Sequence, residues 1–488
     1  MIRIEHCQDR RTSQHHARIV GILLLIAASG VLGAAGAVSP ARFVRFGEAR
    51  PILTELAGTL PTDLDTLTPS QMEAAWPRWI ERRDREIRAR LDQGDEDTIV
   101  NWLLFGTTFT SRPRALLGTV ESGAAGDRDL VLQRTMELIA ARLDDLLTAL
   151  AAPGNDERRV FARSLLQRRG LRFATAADRE AARMYLVAAI IRVASEQDRI
   201  DQELGATTGS DPMAEFVKRS RLFRTRGLSL DASLIPNYSI EQALTAMKAR
   251  GLLEPRAVKR VAIVGPGLDF ADKDVGFDFY PPQTLQPFAL SDSLTRLALA
   301  PVAGPEIVLL DISPRIVDHV TRAQARAARN SGYTLNLPLP RSTPWLPEVR
   351  EYWQTFGDQI GAPAPVAPPA AIAELAELRS VRARANEVRR MSVSNVNIVT
   401  QRLDGEAFDL VIATNVLIYY DTFEQALAMA NIEAMLKPGA FLLANVSAPD
   451  LKSLTIRPVD TTTTLYARRV TANENVLDLL VWYKAHAN

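Results

Sequence analysis

Residues 402–445 read RLDGEAFDLVIATNVLIYYDTFEQALAMANIEAMLKPGAFLLAN. After the Gly405-Glu406 turn, Phe408 to Thr414 is a near-continuous apolar run, the pattern of a parallel strand covered on both faces. Asn415 and Ile418-Tyr419-Tyr420-Asp421 follow where that strand ends. Phe423 to Leu436 carries Leu427, Ala430, Ile432 and Met435 as the apolar side of a helix, and Pro438-Gly439 stops it. Phe441 to Val446 is the next strand. Strand, helix and strand in this order imply an open α/β sheet. Ligands of such sheets bind beyond the carboxyl ends of the strands, so Asn415, Tyr419 and Tyr420 are candidate site residues.

The same logic extends towards the N-terminus. Lys259 to Val264 reads as a first strand running into Gly265-Pro266-Gly267-Leu268-Asp269. Glycines at a strand exit allow a tight turn and close approach of the backbone to a ligand. Glu306 to Leu310 is a second strand ending at Asp311, followed by Ile312 and a helix from Pro314 to Arg329. An acid at this strand end can accept both hydroxyl protons of a ribose. The distance from Gly267 to Asp311 exceeds the roughly 20 residues of a dinucleotide fingerprint. A Pro-, Asp- and aromatic-rich loop, 271–287, accounts for the difference, with a short helix over 291–299 behind it.

Residues 331–393 form an inserted segment. Trp345 to Phe356 reads as a short helix, 363–369 as a Pro-rich connector, and 370–391 as an Arg-rich helix. Asn395 to Leu403 is read as the third strand. Near the C-terminus, Thr461 to Arg468 and Asn475 to Lys484 alternate as two antiparallel strands.

FDLVIATNVLIYYD followed by a helix and LKPGAFLLAN resembles the fourth and fifth strands of class I methyltransferases dependent on S-adenosylmethionine (SAM). NVLIYYD is similar to the chemotaxis-receptor methyltransferases in wording, though no matching receptor-binding module accompanies it. The late antiparallel pair is a second point of likeness. The resemblance covers the C-terminal half only. It implies a Rossmann-like seven-stranded sheet, SAM as cofactor, and contacts from Gly265, Gly267, Asp269, Asp311, Ile312, Leu403 and Asn415, with Leu403 near the adenine. Tyr419 and Tyr420 would shape the substrate pocket. Asp269 stands where the family's glycine loop has a third glycine. The same residues are also compatible with another doubly wound α/β domain, such as a nucleotide-binding oxidoreductase.

Composition narrows the alternatives. The net charge is +1 over 488 residues, with no basic excess to suggest nucleic acid as a partner. The sole cysteine, Cys7, precludes a disulfide framework or a cysteine-based metal site in the body of the chain. Of five histidines, only His319 and His486 lie outside the first 16 residues, and no GxSxG elbow accompanies them. No metal is expected.

Residues 19–38 are twenty residues without a charge, preceded by Arg10, Arg11 and Arg18. Both a cleaved signal peptide and a retained membrane anchor fit them. The chain is thus expected to be membrane-anchored or exported, the side of the membrane being open. Residues 39–252 read as a separate all-α domain: Thr68-Pro69-Ser70-Gln71 is a capping box, with the helix interrupted near Pro77, and Ser239 caps the last helix. Residues 253–488 are the methyltransferase-like domain. Two functions remain. One is methyl transfer from SAM to a small-molecule or protein acceptor. The other is a non-catalytic, exported or membrane-attached interaction protein on a degenerate methyltransferase scaffold.

Overall fold

The computed structural model describes residues 39–115, 125–205, 227–229, 231–271, 277–445, 449, 451–468 and 476–486. The leader, 1–38, with its apolar stretch 19–38, lies outside the described residues. Among those described, no helix is long and apolar enough to cross a membrane.

The chain opens with β1 (Ala41–Phe43), α1 (Phe46–Glu55), α2 (Thr62–Asp65) and α3 (Pro69–Phe105). Helices α4 (Ala125–Ala151), α5 (Glu157–Arg168), α6 (Ala176–Gly205) and α7 (Asn237–Ala249) follow. The α/β part begins with β2 (Arg260–Val264), α8 (Gln286–Arg296), β3 (Glu306–Asp311) and α9 (Pro314–Ala328). Next come β4 (Tyr333–Pro340), α10 (Pro347–Thr355), β5 (Gly361–Ala364), α11 (Ala370–Ala373), β6 (Ala376–Ala383) and α12 (Ala385–Arg389). The chain closes with β7 (Met391–Asn395), β8 (Gln401–Leu403), β9 (Phe408–Ala413), α13 (Thr422–Met435), β10 (Leu436–Ala444), β11 (Arg457–Ala467) and β12 (Val476–Lys484).

The seven-stranded sheet has the order β7-β3-β2-β9-β10-β12-β11. In order of appearance within the sheet this is 3-2-1-4-5-7-6. The first five strands are parallel and follow the Rossmann order, with the switch point between β2 and β9. The last strand, β12, inserts antiparallel between β10 and β11. This is the Rossmann-like seven-stranded methyltransferase fold. Its central strands are buried on both faces: Val261, Ala262, Ile263, Leu309, Leu310, Leu410, Val411 and Ile412 are no more than 1% exposed. Each such leucine or isoleucine contributes roughly 1.5–3 kcal/mol by leaving water.

The N-terminal region is helical apart from β1, which pairs with β8. Thr68 and Gln71 form the capping box of α3, but the helix runs through Pro77 without a break. Burial of Trp76, Trp79 and Ile80 around it offsets the lost backbone bond. That first part of α3 shares one apolar core with the sheet. The end of α3 with α4, α5 and α6 encloses a second core that also takes in Phe270.

Three readings are corrected. The third strand of the sheet is Met391–Asn395, not 395–403, and Gln401–Leu403 instead forms the ribbon with β1. The Arg-rich stretch 370–391 is not one helix. Its 376–383 portion is the central strand of a three-stranded antiparallel sheet, β4-β6-β5, built by the insertion. Ser239 lies inside α7 rather than capping it; its hydroxyl donates to the Pro236 carbonyl at 2.7 Å.

Candidate functional site

The carboxyl ends of β3, β2, β9 and β10 open into a cleft of about 290 Å³. Gly265, Pro266 and Gly267 form its floor at the exit of β2. Gly265 has φ +64° and Gly267 φ +72°, the left-handed region that glycine enters freely. A Cβ on Gly265 would stand 2.5 Å from Val416 Cγ2, so the exits of β2 and β9 pack together only because this residue has no side chain.

Asp311 ends β3 and is 1% exposed. Its Oδ1 accepts the Ser313 N–H at 2.7 Å, while its Oδ2 makes no hydrogen bond. Burial pushes the carboxyl up to about 7, against the opposing pull of the Ser313 N–H and the Arg315 guanidinium. Ile312 lines the cleft beside it. The Ile312 carbonyl accepts from Arg88 of α3 at 3.1 Å, and the same guanidinium reaches Asn395 Oδ1 at 2.6 Å and Gln401 Oε1 at 3.0 Å. One arginine of the helical region thus ties the exits of the second and third sheet strands.

At the exit of β9, Asn415 takes φ +59°. Its N–H donates to Asn445 Oδ1 at 2.8 Å, and Asn445 Nδ2 donates back to Asn415 Oδ1 at 2.5 Å. Gln286 of α8 donates to the Thr414 hydroxyl at 2.9 Å. A 3₁₀ turn, Leu417–Tyr419, carries Tyr419 and Tyr420 into the cleft wall. Tyr420 is 2% exposed and its burial pushes the phenol upward. The Tyr419 carbonyl accepts from Arg90 at 2.6 Å.

The opposite wall comes from the segment before α7, through Leu228, Ser229, Asp231 and Ser233, and from the first turn of α7, through Asn237 and Ser239. It is fastened to α3: the Leu228 N–H donates to the Arg90 carbonyl at 3.1 Å. The contact is so close that a Cβ on Gly94 would lie 1.9 Å from the Leu228 carbonyl oxygen. A second cavity, of about 550 Å³, meets the first at Ile312 and lies among α3, α5 and the start of α9.

The structure therefore gathers Gly265, Gly267, Asp311, Ile312, Asn415, Tyr419 and Tyr420 around one cleft. It does not bring Asp269 or Leu403 there. Asp269 turns into the protein, where its carboxylate accepts from the Tyr280 hydroxyl and from Gln283 Nε2, both at 2.9 Å. Leu403 lies in β8 with its N–H on the Met435 sulfur. The sequence reading missed Asn445, Gln286, Asp478 and the wall 228–239. Asn445 ends a strand and was open to the rule that found Asn415. Nothing in the composition of 228–239 marks it as part of a site.

Neither a family model nor a curated relative matches the sequence. Among solved structures, similarity is found to the N-methyltransferase NodS from Bradyrhizobium japonicum WM9, at 16% identity and a TM-score of 0.26, over 52% of this chain and 100% of that one. The magnesium protoporphyrin IX methyltransferase ChlM from Synechocystis PCC 6803 with bound SAM is similar at 14% identity and a TM-score of 0.24, over 60% and 90%. The glycopeptide N-methyltransferase MtfA complexed with SAM follows at 9% and 0.25, over 53% and 97%. The strand order alone carries the fold.

Proposed function

We propose that this protein is a methyltransferase that takes its methyl group from SAM and passes it to a small-molecule or protein acceptor. The observation that carries the reading is Asp311. A buried carboxylate oxygen with no donor is costly unless a ligand supplies one. A ribose offers two adjacent hydroxyl donors, and Asp311 faces the cleft with one oxygen uncommitted. Gly265 and Gly267 would let the methionine end approach the backbone, Ile312 would flank the nucleoside, and Asn415 would contact the cofactor at the switch point. Tyr419 and Tyr420 would bound the acceptor. The cofactor supplies an activated methyl group on a sulfonium. What remains for the protein is orientation, exclusion of water and complementary charge.

Thermal unfolding tests this directly. A ligand that binds only the folded chain at 100 times its Kd stabilises it by about 2.7 kcal/mol. The melting temperature is expected to climb with SAM or S-adenosylhomocysteine and to stay fixed with NAD. A cooperative transition indifferent to both adenosyl compounds would overturn the reading.

A further inference from the structure

We infer that the methyl acceptor presents an N–H or O–H donor, as an amine or a hydroxyl does, and that Asn237 Oδ1 receives it. The inference rests on the methyltransferase reading above and concerns the far end of the same cleft.

The direction of the Asn237 amide is fixed. Its Nδ2 donates to the Ser233 carbonyl at 2.9 Å and to the Leu234 carbonyl at 3.0 Å. Two carbonyl oxygens around one end of the amide require that end to be the NH₂ group, and both of its protons are then spent. The other end is purely an acceptor. Asn237 is 5% exposed and lines the cleft. Among the described residues, nothing donates to its Oδ1. A buried carbonyl oxygen without a donor is costly. The amide cannot turn over to relieve it, because its oxygen would then face two carbonyls. A donor on a ligand relieves it.

Position assigns that donor to the acceptor and not to the cofactor. Asp311 and the glycine turn stand at the exits of β3 and β2. Asn237 opens α7, which packs against β12 and β11, the strands farthest from β3 in the sheet. The Tyr466 hydroxyl of β11 lies 3.3 Å from the carbonyl of Pro236, the residue before Asn237. At about 4.8 Å per strand, β12 stands about 14 Å from β2. A cofactor with its ribose on Asp311 and its methionine end on Gly265 therefore leaves Asn237 on the acceptor side.

The oxygen selects by hydrogen bonding. An ionised carboxylate has no hydrogen to give and would set its lone pairs against Oδ1. An amine or hydroxyl fits, and the transfer balances without a further reactant. The nitrogen or oxygen lone pair forms the bond to the methyl carbon as the C–S bond breaks. That bond's electron pair stays on sulfur, which becomes an uncharged thioether. The proton on the methylated atom leaves to water. Asn237 takes no proton: by holding the hydrogen, it aims the lone pair.

Two pairs of probes test this: phenol with anisole, and aniline with N,N-dimethylaniline. Within each pair methyl groups replace the donor hydrogens, and all four are uncharged at neutral pH. Each is titrated calorimetrically into the full chain saturated with S-adenosylhomocysteine. Phenol, aniline or both are expected to bind at least about fivefold tighter than the methylated partner, the size of one neutral hydrogen bond. Asn237→Leu, its fold verified by its unfolding transition, should erase that preference while SAM affinity stays within about threefold. Should this variant not fold, the wild-type ratios decide alone. No preference in either wild-type pair, or a preference unmoved by Asn237→Leu, overturns the inference. A loss of SAM affinity of about tenfold or more in Asn237→Leu would give the oxygen to the cofactor and overturn it as well. The two readings fail separately: absence of SAM binding by the wild type sinks the methyltransferase, whereas SAM binding without donor preference sinks only this one.

Discussion

Asn415 and Asn445 hold each other across two strand ends: the Asn415 N–H reaches Asn445 Oδ1 at 2.8 Å, and the Asn445 amide returns to Asn415 Oδ1 at 2.5 Å. The pair fixes Asn415 in a left-handed conformation that asparagine tolerates better than most residues. With its oxygen engaged by Asn445, the Asn415 side chain has its orientation set at the edge of the cleft. Asn445→Ala deletes both bonds and should cost about 1–3 kcal/mol in urea unfolding. SAM affinity should drop with it. Asn445→Asp keeps an acceptor for the backbone N–H and should retain more of the stability.

Asp311 makes stability and binding depend on pH in opposite senses. Its carboxyl releases a proton near 3.9 when unfolded and near 7 when folded. Between those values the folded chain binds more protons. The group's contribution is therefore present at low pH and falls as pH rises from about 4 through about 7. The full span is on the order of 4 kcal/mol. Asp311→Asn should flatten this part of the profile, as urea unfolding at pH 5 and pH 8 would show. Ribose hydroxyls donate to the ionised form, so SAM affinity should climb over the same interval in the wild type only.

Gly265→Ala places a methyl group 2.5 Å from Val416 Cγ2 on a backbone at φ +64°. Steric and conformational costs combine, and destabilisation of about 2–4 kcal/mol is expected. Val416→Ala in the same chain should recover the steric part but not the conformational part. Equal stability of wild type and Gly265→Ala in urea would contradict the packing described.

Gly94→Ala probes the wall alone. Its new Cβ would meet the Leu228 carbonyl oxygen at 1.9 Å, so the segment before α7 must move away from α3. Because Asp311 and Gly265 sit on other elements, SAM affinity should stay within about threefold. Calorimetry with SAM checks this; a loss of about tenfold or more would place the wall in the cofactor site.

The fold was legible where burial on both faces wrote itself into composition. FDLVIA and the helix behind it could scarcely be anything else, and the late strand pair announced the 5-7-6 end of the sheet. The insertion was not legible. Ala376–Ala383 is rich in good helix formers, yet it pairs on both sides, with β4 and β5, and tertiary pairing overrides that propensity. The sheet's third strand, MSVSN, lies at the edge beside β3, where the apolar demand is weaker. The site was half legible for a related reason. Gly265, Asp311 and Asn415 are strand exits, which sequence can locate. Asp231, Ser239 and Asp478 reach the cleft through long-range packing, which leaves no local pattern. Asp269 looked like part of the glycine turn because it follows it, but one residue beyond Leu268 the backbone bridges to Gln283 and carries the carboxylate away.

The central claim is that Asp311 anchors the nucleoside of SAM. Calorimetric titration of SAM into the full-length chain, beside Asp311→Ala with its fold verified by its unfolding transition, tests it most directly. Saturable one-to-one binding by the wild type, weakened at least about a hundredfold in the variant by loss of two charge-assisted hydrogen bonds, is the predicted result. Equal affinities in the two proteins, or no heat from a folded wild type, would contradict it.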